Sequence, residues 1–328
     1  MRDGFGRQID YLRISVTDRC NFRCHYCMPE QQTFLPRIEL LDYAEIALLS
    51  DRFIDHGIRK IRLTGGEPLV RRDIGLLMRQ LGTHVATGRL DELTLTTNGS
   101  RLRAHADDIL AANIRRINVS LDSLDADRFA TITRGGQLNE VLDGIAAVRA
   151  MGIAVRINMV ALRGINEDEI VPMVRFCGDN GLDLAVIETM PLGDGVAGRT
   201  DHFIALEEFC APLHAHWKLD SLPHRTAGPA RYWQIEPLGV RLGLITPMSD
   251  NFCDDCNRLR LTTDGKIYMC LGSSLHVDLR AAIREEGVAG VDRLLQKALK
   301  LKPERHDFER QMADRSLRLA RHMNATGG

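Results

Sequence analysis

The sequence predicts an α/β protein: a partial (β/α)6 TIM-type barrel followed by a C-terminal α+β extension that closes its open side. Three observations lead there. Six short strand-like stretches alternate with helical ones between Tyr11 and Glu188, the rhythm of parallel strands joined by right-handed crossovers. Six units fall short of the eight of a closed barrel. After Met190 the rhythm gives way to short strands and turns, so residues 1–190 are expected to form the barrel and 191–328 the extension.

The elements follow in order. Tyr11–Val16 reads as a strand. Leu41–His56 reads as a helix with Asp42 at its N-cap, Glu45 three residues on, an Ile46, Leu49 and Phe53 stripe, and Gly57 at the stop. The strand Lys60–Thr64 runs straight into Gly65-Gly66-Glu67-Pro68. Helices around Ile74–Leu81 and Ala104–Ala112, and at Val141–Met151 and Glu167–Cys177, then alternate with strands Leu93–Thr97, Arg116–Ser120, Val155–Val160 and Leu184–Glu188. Pro191 to Arg199 is Gly-rich and reads as a linker. Leu206–His216 is a helix interrupted at Pro212. Tyr232–Ile235, Val240–Ile245, Leu259–Thr263 and Lys266–Met269 are short strands, and helices follow near Leu279–Glu285 and Val291–Leu299, before a polar, basic tail from Lys302 to Gly327-Gly328.

Strand side chains alternate between faces. Leu12, Ile14 and Val16 oppose Arg13 and Ser15; Ile61 and Leu63 oppose Lys60, Arg62 and Thr64; Val155, Ile157 and Met159 oppose Arg156 and Asn158. Parallel strands covered on both sides normally read as continuous apolar runs, and these do not. The apolar face must meet the helices, so Arg13, Lys60, Arg62 and Arg156 line the interior. Buried cations without partners are costly. Internal carboxylates or a wet rim could compensate each one, but few acids share their faces, so the set points to a phosphate-bearing substrate.

The net charge is −1 and 44% of the residues are hydrophobic. No global basic field for nucleic acid or an acidic membrane exists, no run of about 18 apolar residues marks a membrane span, and Met1 to Ile9 lacks an apolar signal core. A cytoplasmic location is expected, where disulfides are rare, so the eight cysteines read as metal ligands or buried thiols. Cys20, Cys24 and Cys27 lie in the loop after the first strand. Three thiolates are one ligand short of a closed tetrahedral site or a four-cysteine cluster; the metal keeps an open position unless His25 completes a structural zinc site. Cys253, Cys256 and Cys270 form a second triad, with His276 as a possible closing ligand. Arg258 and Arg260 share one face of the strand between them. Cys177 and Cys210 read as buried, inert thiols.

The Cys20/Cys24/Cys27 spacing with Tyr26 before the last cysteine, together with Gly65-Gly66-Glu67-Pro68, resembles the radical S-adenosylmethionine superfamily. Thr-Asp-Arg-Cys-Asn-Phe-Arg-Cys at 17–24, Arg-Leu-Thr-Gly-Gly-Glu-Pro at 62–68, Thr-Thr-Asn-Gly at 96–99, Asn-Val-Ser-Leu-Asp-Ser-Leu at 118–124, the second triad and the terminal Gly-Gly narrow the resemblance to the GTP 3′,8-cyclases of molybdenum cofactor biosynthesis (the MoaA family). The resemblance implies two 4Fe–4S clusters, on Cys20, Cys24 and Cys27 and on Cys253, Cys256 and Cys270. It places S-adenosylmethionine on Tyr26, Gly66, Ser120 and Met190. It places GTP on Arg13, Arg62, Thr96, Arg156, Arg258, Leu259 and Arg260, with its guanine at the open iron of the second cluster. It brings the tail, Gly327 and Gly328, into the active site as catalytic residues. The implied reaction is a 5′-deoxyadenosyl radical cyclisation of GTP to 3′,8-cyclo-7,8-dihydro-GTP. The implied partners are a flavodoxin- or ferredoxin-type reductant, cyclic pyranopterin monophosphate synthase as recipient of the product, and a second copy in a homodimer. Three residues depart from the family's usual pattern: Arg156 stands for Lys, Ala185 for Arg and Thr326 for Ile. Two other readings remain: a radical peptide maturase with an auxiliary cluster, and a zinc-stabilised nucleic-acid-binding protein.

Overall fold

A computed structural model describes residues 1–193, 202–223, 229–314, 319 and 321–327. The expected linker over Pro191–Arg199 therefore lies largely outside the described residues, as does Gly328. Six strands carry the first half: β1 (Tyr11–Ser15), β2 (Lys60–Thr64), β3 (Glu92–Thr97), β4 (Arg116–Ser120), β5 (Ala154–Val160) and β6 (Asp183–Ile187). All pair in parallel with their chain neighbours. The second half adds β7 (Lys218–Leu222), β8 (Arg231–Glu236), β9 (Val240–Ile245), β10 (Arg258–Leu261), β11 (Lys266–Tyr268) and β12 (His276–Asp278).

These strands extend the same sheet. β10 pairs in parallel with β1, and β9 in parallel with β6. Antiparallel hairpin strands then continue both margins, giving the order β12-β11-β10-β1-β2-β3-β4-β5-β6-β9-β8-β7. The sheet is a partial barrel whose two margins are both built from the C-terminal half.

Helices α1 (Tyr43–Asp55), α2 (Ile74–Ala86), α3 (Leu102–Ala111), α4 (Ala126–Thr133), α5 (Leu138–Ala150) and α6 (Ile170–Asp179) cover the outside. Their apolar stripes meet Leu12, Ile14, Ile61, Leu63, Leu93, Leu95, Ile117, Val119 and Ile157 in one continuous core. The start of α1 is fixed by a capping box: Asp42 accepts from the Glu45 N–H, and Glu45 accepts from the Asp42 N–H, each at 2.8 Å. Asp42→Ala leaves the Glu45 N–H without its acceptor and should cost about 1 kcal/mol; thermal melting checks this.

Two departures from the sequence reading have local causes. The stretch after β4 holds two helices instead of one, because Asp125 caps α4 by accepting from Arg128 N at 2.7 Å while Phe129 and Ile132 are buried. Leu206–His216 divides into α7 (Leu206–Cys210) and a 3-10 turn (Ala211–Ala215), with the break just ahead of Pro212. Helices α8 (Leu279–Glu285), α9 (Gly287–Leu301), α10 (Phe308–Ala313) and α11 (Met323–Thr326) complete the chain. Among the described residues no helix is long and apolar enough to cross a membrane.

Candidate active site

The lumen is built strand by strand. Because β10 lies beside β1, Arg260 stands opposite Arg13, and Arg13 stands opposite Arg62 on β2. One row of three arginines thus crosses three strands. Arg258, Tyr11 and Lys60 form the row below it, and Arg116 and Arg156 enter from β4 and β5. All of these line an open chamber of about 1140 Å³. No carboxylate is among its described lining residues.

One acid stands behind that wall. Glu92 takes Lys60 and Arg116 in ion pairs, so these two cations are internally compensated. Arg62, Arg156, Arg258 and Arg260 form no salt bridge among the described residues. Burial, and then neighbouring cations, lower the Arg62 guanidinium to about 10 and the Arg260 guanidinium to about 9, with Tyr11 partly offsetting this at Arg62. A charged set with this little compensation has strong demand for an anion. Tyr11 lies under the Lys60 ammonium and the Arg62 guanidinium, 5.5 and 5.8 Å from its ring centre.

The second triad forms one wall of the chamber. Cys253 opens a 3-10 turn (Cys253–Asp255), Cys256 follows it, and the β10–β11 hairpin returns Cys270 to the same place. Lys302, buried at the end of α9, donates its Nζ to Cys256 Sγ at 3.5 Å and to the Met269 carbonyl at 2.6 Å. Burial pushes the Cys256 thiol up, but Arg258 and Lys302 outweigh it and bring it down to about 6. No spacing in the sequence ties Lys302 to these cysteines, 46 residues away; only the packing does.

The first triad sits at the carboxyl ends of the strands, in the loop after β1. That loop docks on the end of α4, with Arg23 N donating to Thr133 O and His25 N to Ile132 O. Cys20 Sγ accepts from Phe22 N at 3.3 Å and from the Asn98 amide at 3.7 Å. Burial first, then Glu67 and the neighbouring thiol of Cys27, raise Cys20 to about 12, and Cys24 is pushed up in the same way. Three thiols that crowd and disfavour one another's ionisation suit a cationic centre that would hold all three as thiolates. Among the described residues no group of three or more His, Cys, Asp or Glu is arranged to hold a single metal ion. A 4Fe–4S cluster makes no such demand, since each cysteine binds a different iron.

The other expected residues fall into two groups. Gly66 lies at the end of β2, where a Cβ would come within 2.3 Å of the Arg19 carbonyl oxygen, so only glycine allows this approach. Tyr26 donates its hydroxyl to Asp122 at 2.7 Å, and Ser120 ends β4. These stand at the carboxyl end of the sheet with the first triad. Met190 lines the chamber. Thr96 meets Arg62 Nη1 at 3.4 Å. Leu259 points away from the lumen into the core and does not line the chamber. His276 is exposed, with Nδ1 against the Ser274 carbonyl and its ring 5.1 Å from Tyr268.

The tail reaches between these groups. Asn324 donates to the Asp18 carbonyl at 2.8 Å, and Arg260 Nη1 donates to the Gly327 carbonyl at 2.7 Å. Gly327 sits against Thr64 and Gly65, at φ +69°. The first triad does not itself line the chamber among the described residues; the tail reaches its loop through Asn324 on the Asp18 carbonyl.

The fold is shared with solved structures that hold S-adenosylmethionine. The chain matches the structure of Streptococcus suis SuiB bound to S-adenosylmethionine over 97% of its own length and 77% of that chain, at TM-score 0.60 and 14% identity. It matches native anSMEcpe with bound AdoMet over 91% and 82%, at TM-score 0.62 and 14% identity. Residues 14–177 match the Radical SAM superfamily model and 182–308 the Molybdenum Cofactor Synthesis C model. The family model over residues 14–177 places the chain in the radical S-adenosylmethionine class. Curated relatives narrow this: a GTP 3′,8-cyclase of Rhizobium meliloti (strain 1021) is 50% identical over 100% of this chain and 94% of its own, one of Sinorhizobium medicae (strain WSM419) is 51% identical over the same shares, and one of Brucella canis is 49% identical over 100% and 96%. The chain belongs to the GTP 3′,8-cyclase family.

Proposed function

We infer that this chain is a GTP 3′,8-cyclase, converting GTP to 3′,8-cyclo-7,8-dihydro-GTP in the first step of molybdenum cofactor biosynthesis. Its cofactors are two 4Fe–4S clusters and S-adenosylmethionine. The observation that carries the reading is the chamber in which the row Arg260–Arg13–Arg62 faces the thiols of Cys253, Cys256 and Cys270.

Cys20, Cys24 and Cys27 would hold the first cluster, and Cys253, Cys256 and Cys270 the second. The first supplies, when bound, the electron that cleaves S-adenosylmethionine. The rest is the work of this chain's own residues. Tyr26, Gly66, Ser120 and Met190 hold S-adenosylmethionine at the carboxyl end of the sheet. Arg13, Arg62, Arg156, Arg258 and Arg260 take the triphosphate, whose negative charge offsets the positive charge they bring to the chamber, and Thr96 supports Arg62. The Leu259 backbone holds its two arginines apart on one face. Gly327 closes the space between the two groups and keeps water from the reacting sugar, and the resemblance gives Gly328 a catalytic role beside it. Fixing ribose against purine is where such a site obtains its selectivity.

Residues 1–190 act as the radical-generating half and 191–328 as the half that carries the second cluster. A homodimer, a flavodoxin- or ferredoxin-type reductant, and transfer of the product to cyclic pyranopterin monophosphate synthase complete the proposal.

The test is anaerobic incubation of reconstituted protein with GTP, S-adenosylmethionine and dithionite. 5′-Deoxyadenosine should form in response to GTP, along with the cyclised nucleotide; none formed in response to GTP would end the reading. Arg258→Ala and Arg260→Ala should each weaken GTP binding roughly tenfold or more, about 1.4 kcal/mol, with guanosine little changed. Equal losses for both ligands would place these arginines at the base instead of the phosphates.

A further inference from the structure

Arg62 and Arg156 come from β2 and β5, with two strands between them, yet they share one acceptor. Asn118 on β4 stands directly opposite Arg156. With its amide oxygen toward the cations it accepts from Arg62 Nη1 at 2.8 Å and from Arg156 Nη2 at 2.6 Å. On the far side the Tyr232 hydroxyl accepts from Arg156 Nη1 at 2.9 Å. Asn118 is fully buried and Tyr232 is 5% exposed.

Tyr232 can reach Arg156 because of the row it occupies. Ala185, Gly243 and Tyr232 lie side by side across β6, β9 and β8. A Cβ on Gly243 would come within 3.0 Å of the Tyr232 ring, so the ring uses space that two small residues leave. The hydroxyl then arrives at the guanidinium from the side on which Ala185 offers no polar group.

Both guanidiniums are therefore held by uncharged oxygens, and neither meets a carboxylate among the described residues. An aspartate could make the same contacts, but it would cancel one positive charge. The Nε atoms of Arg62 and Arg156 remain buried without a hydrogen-bond partner, so the frame leaves donor capacity unused.

We propose that Asn118 and Tyr232 are positioning residues of the reaction, neutral acceptors that fix Arg62 and Arg156 in the lumen while leaving their charge for the triphosphate. This rests on the assignment of GTP to the chamber. The test is equilibrium binding of GTP and of guanosine to the anaerobically reconstituted holoenzyme, with steady-state kinetics beside it. Asn118→Asp keeps shape and contacts but adds a negative charge. It should weaken GTP binding roughly tenfold while guanosine stays within about twofold, and it should raise the KM for GTP more than it lowers kcat. Tyr232→Phe keeps the ring over Gly243 and removes only the hydroxyl, and should weaken GTP binding roughly threefold to tenfold. Should Asn118→Asp fail to fold, Tyr232→Phe decides alone.

Wild-type GTP affinity in the folded variants, or equal losses of GTP and guanosine, overturns the proposal. Arg156→Ala separates the two levels. If it weakens GTP binding and the two acceptor variants do not, only the positioning role falls. If it leaves GTP binding intact, the assignment of the triphosphate to the chamber falls and the proposal with it.

Discussion

Cys20→Ser should abolish S-adenosylmethionine cleavage, lowering 5′-deoxyadenosine formation by at least about a thousandfold, some 4 kcal/mol. The thiol sits where the Phe22 N–H and the Asn98 amide both point at it. A serine hydroxyl can accept both bonds, so the loop, pinned independently on Thr133 and Ile132, should keep its shape. What is lost is the soft thiolate ligand. Cys253→Ser provides the contrast. Its triad lines the chamber, which the first triad does not, so it should impair GTP binding more than it impairs cleavage of S-adenosylmethionine. Iron and sulfide content, measured on each variant, tells loss of a cluster from loss of fold. A Cys20→Ser enzyme that still made 5′-deoxyadenosine at a tenth of the wild-type rate would remove the first triad from its assigned role. A Cys253→Ser enzyme with unchanged GTP affinity would do the same for the second.

Gly327→Ala is expected to lower GTP conversion about a hundredfold while the protein remains folded and still reduces S-adenosylmethionine. A Cβ at this position would lie 1.8 Å from Thr64 Oγ1. The residue also holds φ at +69°, a conformation that costs any other residue about 1 kcal/mol or more. Neither neighbour can yield, since Thr64 ends a central strand. The tail must therefore lift, and with it goes the carbonyl that Arg260 holds. Arg260 then loses its brace, and water gains a path between the two groups of residues. The tail is otherwise well seated: Asn324 and Thr326 are buried, although Thr326 Oγ1 has no hydrogen-bond partner among the described residues. GTP turnover within twofold of wild type in Gly327→Ala would show that the tail contributes nothing at this point.

Much of the site could be read from the chain because its signals are local. Alternation along single strands separated Arg13, Arg62 and Arg156 from their apolar neighbours, and all three are buried in the lumen. Ligand spacing picked out both cysteine triads, whose thiols do sense one another's charge. Lys60 shows where such reasoning stops. It lines the chamber as alternation requires, yet Glu92, on the neighbouring strand, pairs with it. Which carboxylate faces which cation depends on strand order and register, and neither is visible in one strand's pattern.

By itself, then, the sequence determined the strand–helix alternation, the inward arginines and the two sets of thiols, because periodicity and spacing are carried by residues close together in the chain. Only the tertiary structure decided that β10 lies beside β1. That pairing aligns Arg260 with Arg13, and it brings Lys302 to Cys256 and the tail to Thr64. Such contacts join segments from 46 to more than two hundred residues apart, and the free energy that selects them comes from burying the whole apolar face of the sheet at once.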